Sequence, residues 1–213
     1  MNYTVYEKGL GIVVLGGFAP ERLDITLLES DGIILSDEQE YVKQQTISET
    51  ASAFSLANVN VFCDKERLQI GTTDIGMSER LTHLCADILK WLNIAELKGV
   101  GINPHIVIGF EKAEDHEAFV KHFIPTEAVW SQLYGSAFTS SIQIRQTYEK
   151  GNSVFESLMV RMGKEIDGIP TYSVDMNVHH NITSLGEVID VCLNAPTIFD
   201  ERLSKMETLI KGI

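Results

Sequence analysis

Positive charge is scarce in this chain of 213 residues: 17 Lys and Arg stand against 30 Asp and Glu, a net charge of −13. Nonspecific nucleic-acid binding needs clustered cations that release counterions from phosphates. No stretch supplies such a cluster, so that class of partner is excluded. Cysteine is also rare. Cys63, Cys85 and Cys192 are odd in number, form no C-x-x-C pair and sit among apolar residues. This is the pattern of small buried hydrophobes in a reducing compartment rather than of a disulfide framework. Long hydrophobic runs are missing too. Leu10 to Phe18 falls well short of the ~20 apolar residues that span a bilayer, and the N-terminus has no secretory hydrophobic region. A soluble cytoplasmic protein with no membrane partner is the expectation.

The signatures of cofactor and catalytic sites are absent as well. There is no G-x-G-x-x-G, no phosphate loop ending in Gly-Lys-Ser/Thr, no H-E-x-x-H and no G-x-S-x-G. Each would place a helix N-terminus, a metal-ligand pair or a strained nucleophile where its chemistry needs it. No cofactor and no metal are expected, and the balance leans against an enzyme.

What is present is an ordinary globular composition, 44% hydrophobic and 22% charged. The negative charge is uneven. Eight acids and two bases lie between Glu21 and Glu49, and Glu111–Glu117 is a second acidic run. Such runs solubilise a surface, but they also fit a basic protein partner or a mimic of nucleic-acid charge.

The hydrophobic pattern predicts strands at Leu10–Leu15, Asn58–Phe62, Leu68–Thr73 and Leu97–Phe110. Gly99, Gly101 and Pro104 break the last, and Pro104 predicts an edge or a bulge. Residues 44–57 read as irregular. Asp24 as a cap predicts a short helix to Ser30, while the alternation of Leu23, Ile25 and Leu27 also fits a strand, and Ser36–Gln39 has capping-box spacing. From Ser78, the residues Leu81, Leu84, Cys85, Ile88, Leu89 and Leu92 recur at helical spacing and predict a helix to Leu92. A shorter helix is predicted over Glu114–Phe123, with a further turn at Glu127–Leu133. Three strands follow, Phe138–Thr147, Val154–Met162 and Thr171–His180, joined by polar turns at Glu149–Asn152 and Gly163–Gly168. Ser184 and Thr197 are candidate caps for two final helices.

The chain is therefore expected to be α+β, an antiparallel sheet with helices packed largely on one face. One domain over 1–213 is expected, with two pseudo-repeated meander-plus-helix lobes at about 1–125 and 126–213. Val59–Cys63 and Met176–His180 both precede an amphipathic helix; the Asn-Val they share is near chance, so the repeat rests on that architecture, and the competing match of Gly101–His105 with Asp175–His179 fits two neighbouring strands instead.

Two Asn-x-His strands carry the candidate site. Alternation puts His179 on the face of Asp175 and Asn177, and turns His180 to the other face. If the strands pair, His105 joins them. The candidate binding residues are Asn103, His105, Asp175, Asn177 and His179. They form either a ligand or general-base site, or a polar cluster holding backbone near the sheet rim, with Asn177 buried in a hydrogen bond. Trp91 and Trp130 read as packing residues.

Three motifs in this order, Val14-Leu-Gly-Gly-Phe-Ala-Pro20, Gly101-Ile-Asn103 and Asn177-Val-His-His180, resemble a family of uncharacterised bacterial proteins. That family carries a leucine-glycine-x-phenylalanine-x-proline start, a glycine-isoleucine-asparagine strand and a late asparagine-x-histidine strand. The resemblance covers residues 13–181. Gly17 and Ala19 stand where the family's asparagines would be. It implies the fold and a bacterial or phage origin, and no activity. The expected function is a non-enzymatic protein-binding or assembly protein that forms a homo-oligomer. The rivals are a ligand-binding protein or enzyme built on the Asn-x-His strands, and an acidic inhibitor of a nucleic-acid enzyme.

Overall fold

The computed structural model describes residues 2–92, 94, 96–123, 141–145 and 153–212. The strands are β1 (Thr4–Gly16), β2 (Val42–Ile47), β3 (Ala51–Leu56), β4 (Val59–Asp64), β5 (Arg67–Thr72), β6 (Leu97–Gly109), β7 (Ser141–Arg145), β8 (Val154–Met162) and β9 (Thr171–His180). They form one antiparallel sheet in the order β2-β3-β4-β5-β1-β6-β9-β8-β7. Five helices accompany it among the described residues: α1 (Ile25–Ser30), α2 (Ser78–Leu92), α3 (Ala113–Phe123), α4 (Leu185–Leu193) and α5 (Ala195–Lys211). The α+β class is as the pattern predicts.

The topology repeats. In each half a long strand (β1 or β6) is followed by a short helix (α1 or α3). A meander then returns its last strand (β5 or β9) to the long strand's side, and amphipathic helix follows (α2, or α4 and α5). The two long strands pair with each other at the centre, Ile12 opposite Ile102. The division between halves therefore falls between Leu92 and Leu97, earlier than a boundary near residue 125.

Alternation along each strand sorts the side chains onto two faces. Leu10, Ile12 and Val14 of β1, Leu68 and Ile70 of β5, Val59, Val61 and Cys63 of β4, and Val100 and Ile102 of β6 are all buried on one face. α2 lays Leu81, Leu84, Cys85, Ile88 and Leu89 against them, with Leu84 at 0% exposure. A second cluster joins Ile106, Ile108, Val160, Tyr172 and Val174 to Phe119 and Phe123 of α3 and Met206 and Ile210 of α5. Where α2 meets α4, the free thiols of Cys85 and Cys192 lie 3.8 Å apart. Trp91 packs as expected: its indole N–H donates to Asp31 at 2.6 Å and the Arg22 guanidinium stacks on its ring.

Several local expectations need correction. Residues 44–57 are not irregular; they hold β2 and β3. β3 hides its strand character because its inward set includes Ser52, 1% exposed, whose hydroxyl donates to the Pro20 carbonyl. Pro104 marks neither an edge nor a bulge. It lies inside the central strand β6, opposite Leu10 of β1. On its other side the β6–β9 pairing resumes in the same register, Ile102 with Val178 and His105 with Asp175. The missing N–H thus costs a rung without shifting the ladder. Ser78 is helical rather than a cap; Asp74 accepts from the Gly76 N–H at the start of a 3-10 turn leading into α2. The last helix starts at Ala195, with Pro196 in its first turn, so Thr197 is not its cap. In the Ser36–Gln39 segment Glu38 accepts from the Leu35 N–H and pairs with Arg80, and a 3-10 turn forms at Gln39–Tyr41. The turns expected at Glu127–Leu133 and Glu149–Asn152, and Trp130, lie outside the described residues.

Candidate binding surface on the open face of the sheet

The second face of the sheet contributes no residue to either hydrophobic core cluster. No described helix packs on it, and all five candidate residues project from it. β6 and β9 place Asn103 and His105 beside Asn177 and Asp175. His105 sits directly opposite Asp175, and His179 opposite Gly101.

His105 is the centre of an ion network drawn from four strands. Its Nδ1 lies 2.7 Å from Asp175 Oδ1 and its Nε2 lies 3.0 Å from Glu7 Oε1. Arg161 donates to Asp175 Oδ2 at 2.8 Å and the Ser173 hydroxyl donates to the same oxygen at 2.7 Å. The hydrogen bond to Asp175 raises the His105 pKa, partly opposed by burial and helped by the Asp175 charge and by Glu7. Burial alone would raise the Asp175 pKa, but hydrogen bonds from His105, Ser173 and Arg161 outweigh it and bring the carboxyl down to about 2. With a carboxylate at each ring nitrogen the imidazolium is favoured, and it donates from both. Such a ring is committed: a general base needs a free nitrogen facing a nucleophile, and here Nε2 faces Glu7. Ser173 is held on the far carboxylate oxygen, away from the ring.

The two histidines share a face without sharing a site. His105 lies opposite position 175 and His179 is four residues along β9, so about 13 Å separates them at ~3.3 Å per residue. His179 makes its own contacts, Nε2 to Asn181 Oδ1 at 3.2 Å and its ring against Phe155 at 4.7 Å between centroids. Among the described residues no three His, Cys, Asp or Glu side chains are grouped to hold a metal. His180 turns to the helix side, where burial, His179 and Arg202 lower its pKa. His105 is in mid-strand at the sheet centre, not at the rim. Asn177 is exposed and has no side-chain hydrogen bond among the described residues, so it is not a buried structural amide. Asn103 makes one long bond, to the Gly101 carbonyl at 3.4 Å.

Sequence reasoning missed the partners Glu7, Arg161 and Ser173, and the floor of the surface. The signal for the floor is Gly-x-Gly on strands. Gly9 and Gly11 of β1, Gly99 and Gly101 of β6 and Gly71 of β5 share the open face. Side chains lean over two of them: a Cβ on Gly101 would lie 3.3 Å from Asn177 Oδ1, and one on Gly99 3.0 Å from His179 Nε2. The glycines make a trough across the sheet. It holds three neighbouring hollows of about 450, 260 and 440 Å3. The first two meet at Asn103 and His105, the second and third at Gln143, Ser157 and Asn177. A larger hollow of about 870 Å3 lies on the helix side, among Phe123, Ile142, Leu158, Met206 and Leu209.

Charge separates this face from the rest of the molecule. Its described strand residues carry Arg67, Arg145 and Arg161 against Glu7, Asp64 and Asp175. Three arginines and the His105 imidazolium face three carboxylates, in a chain of net charge −13. No helix among the described residues is long and apolar enough to cross a membrane. Compared with models of known protein families and with curated proteins, the chain matches none.

Proposed function

We propose that this is a non-enzymatic binding protein that receives a partner protein on the open face of its sheet. The observation that carries the reading is the trough itself: nine strands support one face that no described helix covers, floored by glycine and lined by side-chain amides and hydroxyls. The reading takes the cytoplasm as its setting, following the reduced cysteines. The His105 network supports binding over catalysis, because its ionised groups neutralise one another. A small-ligand site around His105 is less well supported. His105 lines two of the hollows, of about 450 and 260 Å3, but both its ring nitrogens are held by carboxylates, which leaves the imidazole no free group for a ligand. The acidic-inhibitor reading draws on Glu21–Glu49, which runs from the turn before α1 through β2 to the β2–β3 turn, and on Glu111–Glu117 at the start of α3, so the two runs belong to different halves.

The test is native isolation of the chain with its partner, followed by surface variants. Ser157→Arg on the open face should release the partner, and Asp200→Arg on α5 should keep it. Retention by Ser157→Arg with loss in Asp200→Arg would move the interface to the helix side and sink the proposal.

A further inference from the structure

Carried across the sheet, the register lines up one row of open-face residues on eight strands. Arg145 of β7 lies opposite Ser157 of β8, which lies opposite Asn177 of β9. The β6–β9 register on either side puts Asn177 opposite Asn103, and Asn103 faces Gly11 of β1. Gly11 pairs with Gly71, Gly71 with Asn60, and Asn60 with Ser55. Every position is glycine or carries a neutral or cationic hydrogen-bonding group; none is apolar and none is acidic. The row runs at right angles to the strands and along the trough.

We infer that this row is a binding groove for an extended, uncharged polypeptide segment of the partner, laid across the strands with its backbone read by the side-chain amides of Asn103, Asn177 and Asn60. The inference rests on the proposed binding role of the open face and names what binds there. A side-chain amide can pair with a backbone unit without reading its side chain; Asn177 offers both its N–H and its C=O, whereas Asn60, whose Oδ1 already accepts from the Ser55 hydroxyl at 2.7 Å, offers its N–H. The glycine floor lets a backbone approach closely between the two amide-bearing ends. Seven interstrand spacings of ~4.8 Å give about 34 Å, the length of roughly ten extended residues. Charge agrees: a face with balanced arginines and carboxylates neither attracts nor repels a neutral segment, whereas the remaining surface of a −13 chain favours cations.

Other occupants fit less well. A second copy would set trough against trough and leave both floors empty. A glycan or a single-stranded nucleic acid needs aromatic faces to stack on. The row has none, and the neighbouring Phe62 and Phe155 are already engaged by Arg67 and His179.

The experiment selects binders from a displayed library of random dodecapeptides against the intact chain, then measures one synthetic binder by fluorescence anisotropy. The selected peptides should be poor in charge. The Asn103→Ala/Asn177→Ala double variant should weaken binding about tenfold or more, the loss of two hydrogen bonds between neutral groups. Gly71→Val should do the same by filling the floor. A Cβ there meets only ordinary contacts, 3.5 Å or more, so the chain should still fold with an unchanged melting profile. Asp200→Arg should bind as the parent does. Recovery of no peptide, or binding indifferent to both groove variants, overturns the inference. So does a glycan array bound in a way these variants abolish, or a sedimenting dimer that Gly71→Val dissolves. If Ser157→Arg still releases the native partner while no peptide binds, the peptide groove fails and the broader binding role stands. If the partner is retained as well, both fail.

Discussion

The two faces of the sheet are made from the same strands, residue by residue, yet they obey different rules. On the helix face the alternating residues are Leu, Ile and Val, and exposures fall to zero. On the open face the intervening residues are glycines, amides, serines and ion pairs, with half-buried apolar residues such as Val13, Phe62 and Met159 set between them. The helix face holds the fold together; burial at about 25 cal/mol per Å2 is a large sum over so many side chains. The open face gains little from packing and is free to vary, which is where a binding surface can be carried at small cost in stability.

The sharpest way to break the comparison is to truncate one side chain on each face. Leu84→Ala, on α2 beneath the sheet, should lower unfolding stability by about 2–5 kcal/mol through lost burial and the cavity left behind. Denaturant titration gives the value, and a change under about 0.5 kcal/mol would mean that α2 is not seated in the core.

Next in size is the ion network, the one part of the open face expected to matter for stability. The Asp175 carboxyl is depressed to about 2, so its contribution, about 2 kcal/mol, is present above the unfolded value of ~3.9 and is lost as pH falls towards 2. His105 is raised, so its contribution is full below the unfolded value of ~6.5 and is lost as pH rises through the higher folded value. Stability measured against pH should therefore slope at both limbs. Asp175→Asn should flatten the acid limb and weaken the alkaline one. An unchanged profile would show the network to be loose.

Smaller still is Asn177→Ala. The side chain is exposed and unbonded, so unfolding stability should move by less than about 0.5 kcal/mol. A loss above 1 kcal/mol would put Asn177 in a structural role and erase the contrast between the faces. The smallest expected effect is a null one: random duplex DNA should show no measurable binding at ordinary salt, given the −13 charge and the balanced open face. A salt-sensitive micromolar complex in a titration would reveal a basic groove.

How much of this was legible depends on the element. α2 was readable because six apolar residues at helical spacing have no competing interpretation. β9 was readable because strict alternation assigned Asp175, Asn177 and His179 to one face and His180 to the other. β3 was not, because a buried serine bonded to a distant carbonyl looks the same in sequence as an exposed one. Pro104 misled for a related reason: a missing N–H argues for an edge only if the neighbouring strand needs that rung, and here the ladder resumes in register past it. Glu7 escaped because β1 begins at Thr4, earlier than the apolar run that announces it.

The sequence by itself determined which residues share a face, since the side-chain period of a strand is two whatever its neighbours do. It also determined the class of fold, the acidic surface and the absence of the usual phosphate and metal motifs. Only the tertiary structure decided which residues lie side by side. Register between strands distant in sequence is set by the packing of the whole apolar face, and shifting one strand by two residues would preserve every alternation while dissolving every row. The pairing of His105 with Asp175, its closure by Glu7 and Arg161, and the line from Arg145 to Ser55 exist only because the helix face locked eight strands in one alignment.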